Sequence, residues 1–258
     1  MLDWIRFCLC RRLGLWSDDD GPSFADTYHG KAVPLETAAR LITLNRNIEI
    51  RDLEHVIPYA RARDIVLKNP DRIVVMDCPC RASRVKPCLP LDVCLIVGEP
   101  FASFIAEHHP GRSRWITPEE AVNILEAEDR RGHVHHAFFK EAMLGRFYAI
   151  CNCCSCCCGA MQAMRNGVPM LSPSGLLPQI DLDICQGCGK CVRACPFKAL
   201  ELVENFARVD PTLCMGCGVC VGQCPAKALR LVETHGPVQP LIVDRLVQAS
   251  ESTPAGSR

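Results

Sequence analysis

At 258 residues, with 29 Lys plus Arg against 29 Asp plus Glu, the chain has room for one large domain or two small ones. It carries no net field that would draw it to nucleic acid, an anionic membrane or an acidic substrate. Twenty residues are cysteine, far above ordinary usage. The opening Met1-Leu2-Asp3-Trp4-Ile5-Arg6-Phe7-Cys8 has no apolar export core or cleavage site, so metal-held thiolates in a reducing cytoplasm are expected instead of disulfides.

Residues 1–30 read as an irregular N-terminal segment. Trp4, Ile5, Phe7 and Leu9 suit a surface helix packed on its own protein, and Cys8 and Cys10 read as reduced thiols. From 31 to 172 helix and strand patterns alternate, predicting a mixed α/β cysteine-rich domain. Pro34–Leu44 and Ile57–Lys68 have helical apolar spacing, and Arg72–Asp77 reads as a buried strand running into Cys78. Thr117, Pro118 and Glu120 form a capping box that opens a helix, and Gly132 stops it. His133–Phe139 and Arg146–Ile150 then read as a strand pair. His133, His135 and His136 are weighed as core or solvated residues before ligands, and His108-His109 as loop.

Two cysteine groups stand beside these strands. The first is Cys78, Cys80, Cys88 and Cys94; the second is Cys151, Cys153, Cys154, Cys156, Cys157 and Cys158. The first has four thiols and could fill one cubane alone or with help from the second. Six thiols in eight residues are too many for one four-iron cluster, and adjacent cysteines cannot all face inward. A third metal centre is expected among these ten, with Arg81 and Arg84 offsetting its charge. A structural zinc site, packed reduced thiols and a redox dithiol at Cys153/Cys156 or Cys154/Cys157 are the alternatives. The chain has no G-x-G-x-x-G after the Ile73 strand, no phosphate loop and no G-x-S-x-G element, so a nucleotide is unsupported.

Residues 171–178 read as a linker, 178–236 as a second domain and 237–258 as a flexible tail. Within the second domain the sequence repeats: Asp181, Cys185, Cys188, Cys191, Cys195 and Pro196 fall on Asp210, Cys214, Cys217, Cys220, Cys224 and Pro225. Three thiolates at C-x2-C-x2-C spacing can converge on three corners of an iron–sulfur cube, while the fourth lies too far along the next turn to close the same one. Glycines between the ligands, Gly187, Gly189, Gly216 and Gly218 among them, permit the loop to wrap closely. Paired zinc sites are the bland alternative, and two complete C-x2-C-x2-C-x3-C-P runs weigh heavily against them.

Residues 181–234 resemble the bacterial-type two-[4Fe-4S] ferredoxins, and no ligand position departs from that family's pattern. The resemblance implies two [4Fe-4S] clusters with crossed ligation: Cys185, Cys188 and Cys191 with Cys224, and Cys214, Cys217 and Cys220 with Cys195. It also implies a ferredoxin-like fold of duplicated short strands and helical turns, making the whole chain α+β. Over about 70–234 the chain is similar in plan to anaerobe iron–sulfur proteins in which Cys-Pro-Cys-Arg and Cys-Asn-Cys-Cys-x-Cys-Cys-Cys segments precede such a domain; no established activity comes with that likeness. With no acid, base or nucleophile constellation beside the cysteines, an electron carrier serving a redox partner protein is the leading expectation, ahead of an electron-feeding oxidoreductase subunit or a redox sensor.

Overall fold

The computed structural model describes residues 27–252 except 52, 54, 58–63, 141, 142, 144 and 235. The expectations placed on Trp4, Ile5, Phe7, Leu9, Cys8 and Cys10 lie outside the described residues.

The larger part of the molecule is built on one sheet. Its strands are β1 (Tyr28–Val33), β2 (Ile48–Ile50), β3 (Ile65–Asp77), β4 (Asp92–Glu99), β5 (Ser113–Ile116), β6 (Val134–Lys140), β7 (Arg146–Cys153) and β8 (Leu171–Ser172). They run in the order β2-β3-β4-β7-β6-β1-β8, with β5 on β3. The central strands are apolar runs because both of their faces are covered. Ile73, Val75, Leu95 and Val97 meet Ala38 and Leu41 of helix α1 (Leu35–Ile42), while the alternating Val74 and Ile96 meet Phe101, Ala102 and Ile105. Period-two alternation thus feeds two apolar layers from one strand pair.

The short helix α2 (Pro79–Ala82) follows β3, α3 (Phe101–His108) follows β4, and α4 spans Pro118–Arg130. The start of α4 is the one read from sequence: Thr117 Oγ1 accepts from the Glu120 amide at 3.1 Å. The strand pair β6–β7 also forms as expected, antiparallel from Val134↔Cys153 to Lys140↔Arg146.

Three expectations are corrected. Part of the helix read over Ile57–Lys68 is strand: Ile65, Val66 and Leu67 pair with Ile50, Glu49 and Ile48. Their β-branched, cross-strand packing outweighs a helical coincidence of spacing. The supposed linker is ordered too. Leu171 and Ser172 add to the sheet beside Gly30 and Lys31, and Leu176–Ile180 forms strand β9, paired with β12 (Leu229–Glu233). Beyond 236, Leu241, Val243 and Val247 are buried in the main core at the start of helix α8 (Val243–Ser252). In each case a distant partner supplies the backbone bonds or apolar cover that local composition does not report.

Between β9 and β12 lie α6 (Lys190–Ala194), the hairpin β10 (Leu200–Val203) and β11 (Phe206–Val209), and the single turn α7 (Val219–Gly222); Ala160 and Met161 of α5 (Gly159–Arg165) pack in one cluster with Met215 and Val219. Among the described residues no helix is long and apolar enough to cross a membrane.

Candidate metal centres

The C-terminal unit is a pseudo-two-fold built from the sequence repeat. Asp181 N donates to Ala228 O and Asp210 N donates to Ala199 O, each at 2.8 Å, so each half opens on the backbone of the other. The helical turns bring the cysteines into two cavities. One is lined by Cys185, Cys188, Cys191 and Cys224; the other by Cys195, Cys214, Cys217 and Cys220. Each cavity therefore gathers three cysteines of one run with the fourth of the other.

Backbone amides point at the sulfurs: Ala199 N at Cys195 Sγ (3.3 Å) and Ala228 N at Cys224 Sγ (3.4 Å). Burial pushes the Cys217 thiol up to about 12 and Cys220 likewise upward. Such desolvated thiols ionise only when a coordinated cation supplies the opposing charge, which is the donor chemistry an iron–sulfur group requires.

The loops leave no space for a side chain at two related glycines. At Gly187 (φ +60) an added Cβ would run into Asn205 O, and at Gly216 (φ +60) into Leu176 O and Ser174 Oγ. Gly187→Ala and Gly216→Ala are each expected to cost the ~1–2 kcal/mol of left-handed strain plus the collision. Lower melting temperature and lower cluster absorbance per chain are the readouts. Gly111→Ala, with open space around it, should match wild type in both; a normally loaded Gly216→Ala protein would refute the tight-loop account.

The ten upstream cysteines divide differently from their order in sequence. Six of them form a basin in which Cys78, Cys94, Cys153 and Cys158 are buried and Cys80 and Cys151 half-buried. Cys78 caps α2, Cys94 on β4 lies opposite Cys151 on β7, and Cys158 caps α5. Cys78 and Cys94 share one cluster with Cys80 and Cys151 at its edge, and Cys151 also packs on the cluster that holds Cys153 and Cys158. Gly159 N donates to Cys80 Sγ at 3.3 Å. Tyr28 and Tyr148 stand beside the basin with their hydroxyls 3.4 Å apart; burial, then neighbouring groups including Cys151 and Cys80, raises the Tyr28 phenol well above its ordinary range.

The other four, Cys88, Cys154, Cys156 and Cys157, come together with all four sulfurs within 4.8 Å of one another, reaching the surface at Cys156 while Cys154 and Cys157 are buried. Cys88 thus leaves the group it belongs to in sequence and joins thiols of the second.

Arg81, read as a charge offset for a centre, is wholly buried and paired with Glu128. It also donates to Pro90 O (2.6 Å) and Asn152 O (3.0 Å). Burial pushes the Glu128 carboxyl upward, but hydrogen bonds from His133 and Arg81 outweigh it and hold the group below its usual range. Arg84 donates to Cys157 O at 3.1 Å. His135 and His136 are core residues, driven by burial to about 4 and about 3 respectively and so neutral. Glu128 and the two tyrosines were not singled out in the sequence; only the fold brings them near the cysteines.

The basin and the C-terminal unit meet in one apolar cluster. Cys153, Cys158 and Met161 share it with Met215 and Val219, and Cys217 and Phe197 pack on its edge. An open cleft beside this contact is lined by Arg131, His133, Cys156, Lys190 and Arg193, among others.

Residues 177–234 match the family described as the 4Fe-4S dicluster domain. A stretch of 26 residues is 69% identical to a ferredoxin of Pyrobaculum islandicum, and covers 10% of this chain and 24% of that ferredoxin. The chain therefore matches about a quarter of that relative's length.

Proposed function

We propose that the protein relays single electrons, because residues 177–234 match the 4Fe-4S dicluster domain, a short stretch is similar to a ferredoxin, and a cysteine-rich region precedes them. In this reading Cys185, Cys188, Cys191 and Cys224 hold one [4Fe-4S] cluster, and Cys214, Cys217, Cys220 and Cys195 hold the second. A third iron–sulfur centre sits on the basin of Cys78, Cys80, Cys94, Cys151, Cys153 and Cys158. Such clusters supply one-electron chemistry at potentials set by charge, exposure and hydrogen bonds to sulfur. A redox partner protein exchanges electrons at the outer end, where Cys188 is exposed.

The observation that carries the reading is the shared apolar cluster. Cys217 lies on the same packed patch as Cys153 and Cys158, so the inner cluster site and the basin are joined by dry, dense side chains. The cysteines fix each group in place, and the Ala199 and Ala228 amides donate to the sulfurs of Cys195 and Cys224. The cationic cleft at Arg131, Lys190 and Arg193 favours the second reading, an oxidoreductase subunit with its reactive centre upstream.

The test is anaerobic iron and acid-labile sulfide analysis of the full chain, with EPR after reduction. More sulfide than two [4Fe-4S] clusters contain is expected, and Cys94→Ser or Cys158→Ser should remove only that surplus. A full chain carrying just two clusters' worth of sulfide would reduce the basin to packing.

A further inference from the structure

We infer that Cys88, Cys154, Cys156 and Cys157 form a separate site for one thiophilic metal ion in a tetrahedral all-thiolate shell. This goes beyond the relay reading and does not depend on it.

The spacing of the sulfurs decides the nuclearity. Cys88 Sγ is 3.0 Å from Cys156 Sγ, which is 3.7 Å from Cys157 Sγ, and all four lie within 4.8 Å of one another. Metal–sulfur bonds of ~2.3 Å in a tetrahedron put thiolates ~3.8 Å apart around one ion. A four-iron cube ends each thiolate on a different iron and spreads the sulfurs by the width of the cube. Among the described residues, the eight cysteines of the C-terminal unit yield no group of three as tight as this one. The quartet is therefore too compact for a cube and matched to a single ion.

The site is built, since its loop is fixed by groups outside it. Arg84 donates to Cys157 O at 3.1 Å, Gln162 to Cys156 O at 2.8 Å and Arg165 to Ser155 O at 2.7 Å. Two guanidinium groups thus stand beside a shell of four thiolates whose charge exceeds that of a divalent ion. Arg81, one residue after Cys80, donates to Asn152 O beside Cys153. The ion would fasten the loop after α2, which carries Cys88, to the turn after β7. That clamps two chain segments whose neighbours, Cys80 and Cys158, line the basin, a closed structural role.

The experiment compares wild type, Cys88→Ser and Cys156→Ser as full chains purified anaerobically, by elemental analysis, sulfide assay and EPR. Each variant is expected to lose one zinc or one iron ion per chain with sulfide and the reduced EPR signals unchanged. Either metal upholds the site; zinc makes it purely structural and iron makes it a further one-electron centre. Sulfide falling together with several irons, or metal content unchanged in both variants, would overturn it. If the variants fail to fold, untreated wild type is examined by zinc K-edge X-ray absorption and by EPR of the oxidised protein. Zinc bound by four sulfurs at ~2.3 Å, or the signal of a single high-spin ferric ion, is then expected, and the absence of both refutes the site. A failed relay reading would show instead as missing surplus sulfide in wild type, so the two failures are distinguishable.

Discussion

Glu128→Gln is expected to cost about 3–5 kcal/mol of unfolding free energy, the scale for leaving one member of a buried ion pair without its partner. Arg81 and Glu128 have side chains 0% and 1% exposed, so water cannot replace the lost carboxylate. The remaining partners of Arg81 include carbonyls of Pro90 and Asn152, which do not neutralise it. The urea midpoint of the cluster-loaded protein is the measurement. The double variant Arg81→Met, Glu128→Leu should recover much of the loss, because two matched apolar groups carry no stranded charge. A single-variant loss under about 1 kcal/mol, within the range of surface ion pairs, would mean that the pair is not buried in solution. Glu128 is held ionised below its ordinary range, so its contribution is present above that range and drains as pH falls through the lowered value.

The second large effect concerns cluster content. Cys224→Ala is expected to remove one of the two clusters proposed for the C-terminal unit, and adding Cys185→Ala should remove no more, since both line one cavity. Cys224→Ala combined with Cys214→Ala should remove both, because Cys214 lines the other. Sulfide per chain and integrated EPR intensity separate these outcomes. If the Cys214, Cys224 double variant keeps one complete cluster while the Cys185, Cys224 variant keeps none, each run ligates its own cube and the crossed pairing fails.

What could be read from the sequence was local. The cysteine runs announce themselves because their ligands lie within a few residues of one another, and the Thr117 cap because its bond spans three residues. The alternation of β6 and β7 was visible because both strands are half of a hairpin. Ile65–Lys68 was misread because a short apolar stretch satisfies two periodicities, and only the partner Ile48–Ile50 chooses between them. The division of the ten cysteines was invisible for the same reason. Cys88 lies near Cys80 and Cys94 in sequence, yet the loop between α2 and β4 swings it onto Cys156, and no spacing rule encodes that swing.

The repair of the supposed linker and tail has a mechanical consequence. Leu171 and Ser172 enter the unit from the sheet edge beside β1, and Leu241, Val243 and Val247 leave it into the main core. The C-terminal module is therefore riveted at both ends to one chassis, where a single tether would let it swing like a pendulum. Its inner cysteine cavity packs against the patch that holds Cys153 and Cys158, a contact that no search by diffusion must make. The electron transfer proposed inside the molecule should then be insensitive to solvent viscosity, and viscosity should slow only the encounter with an outside partner.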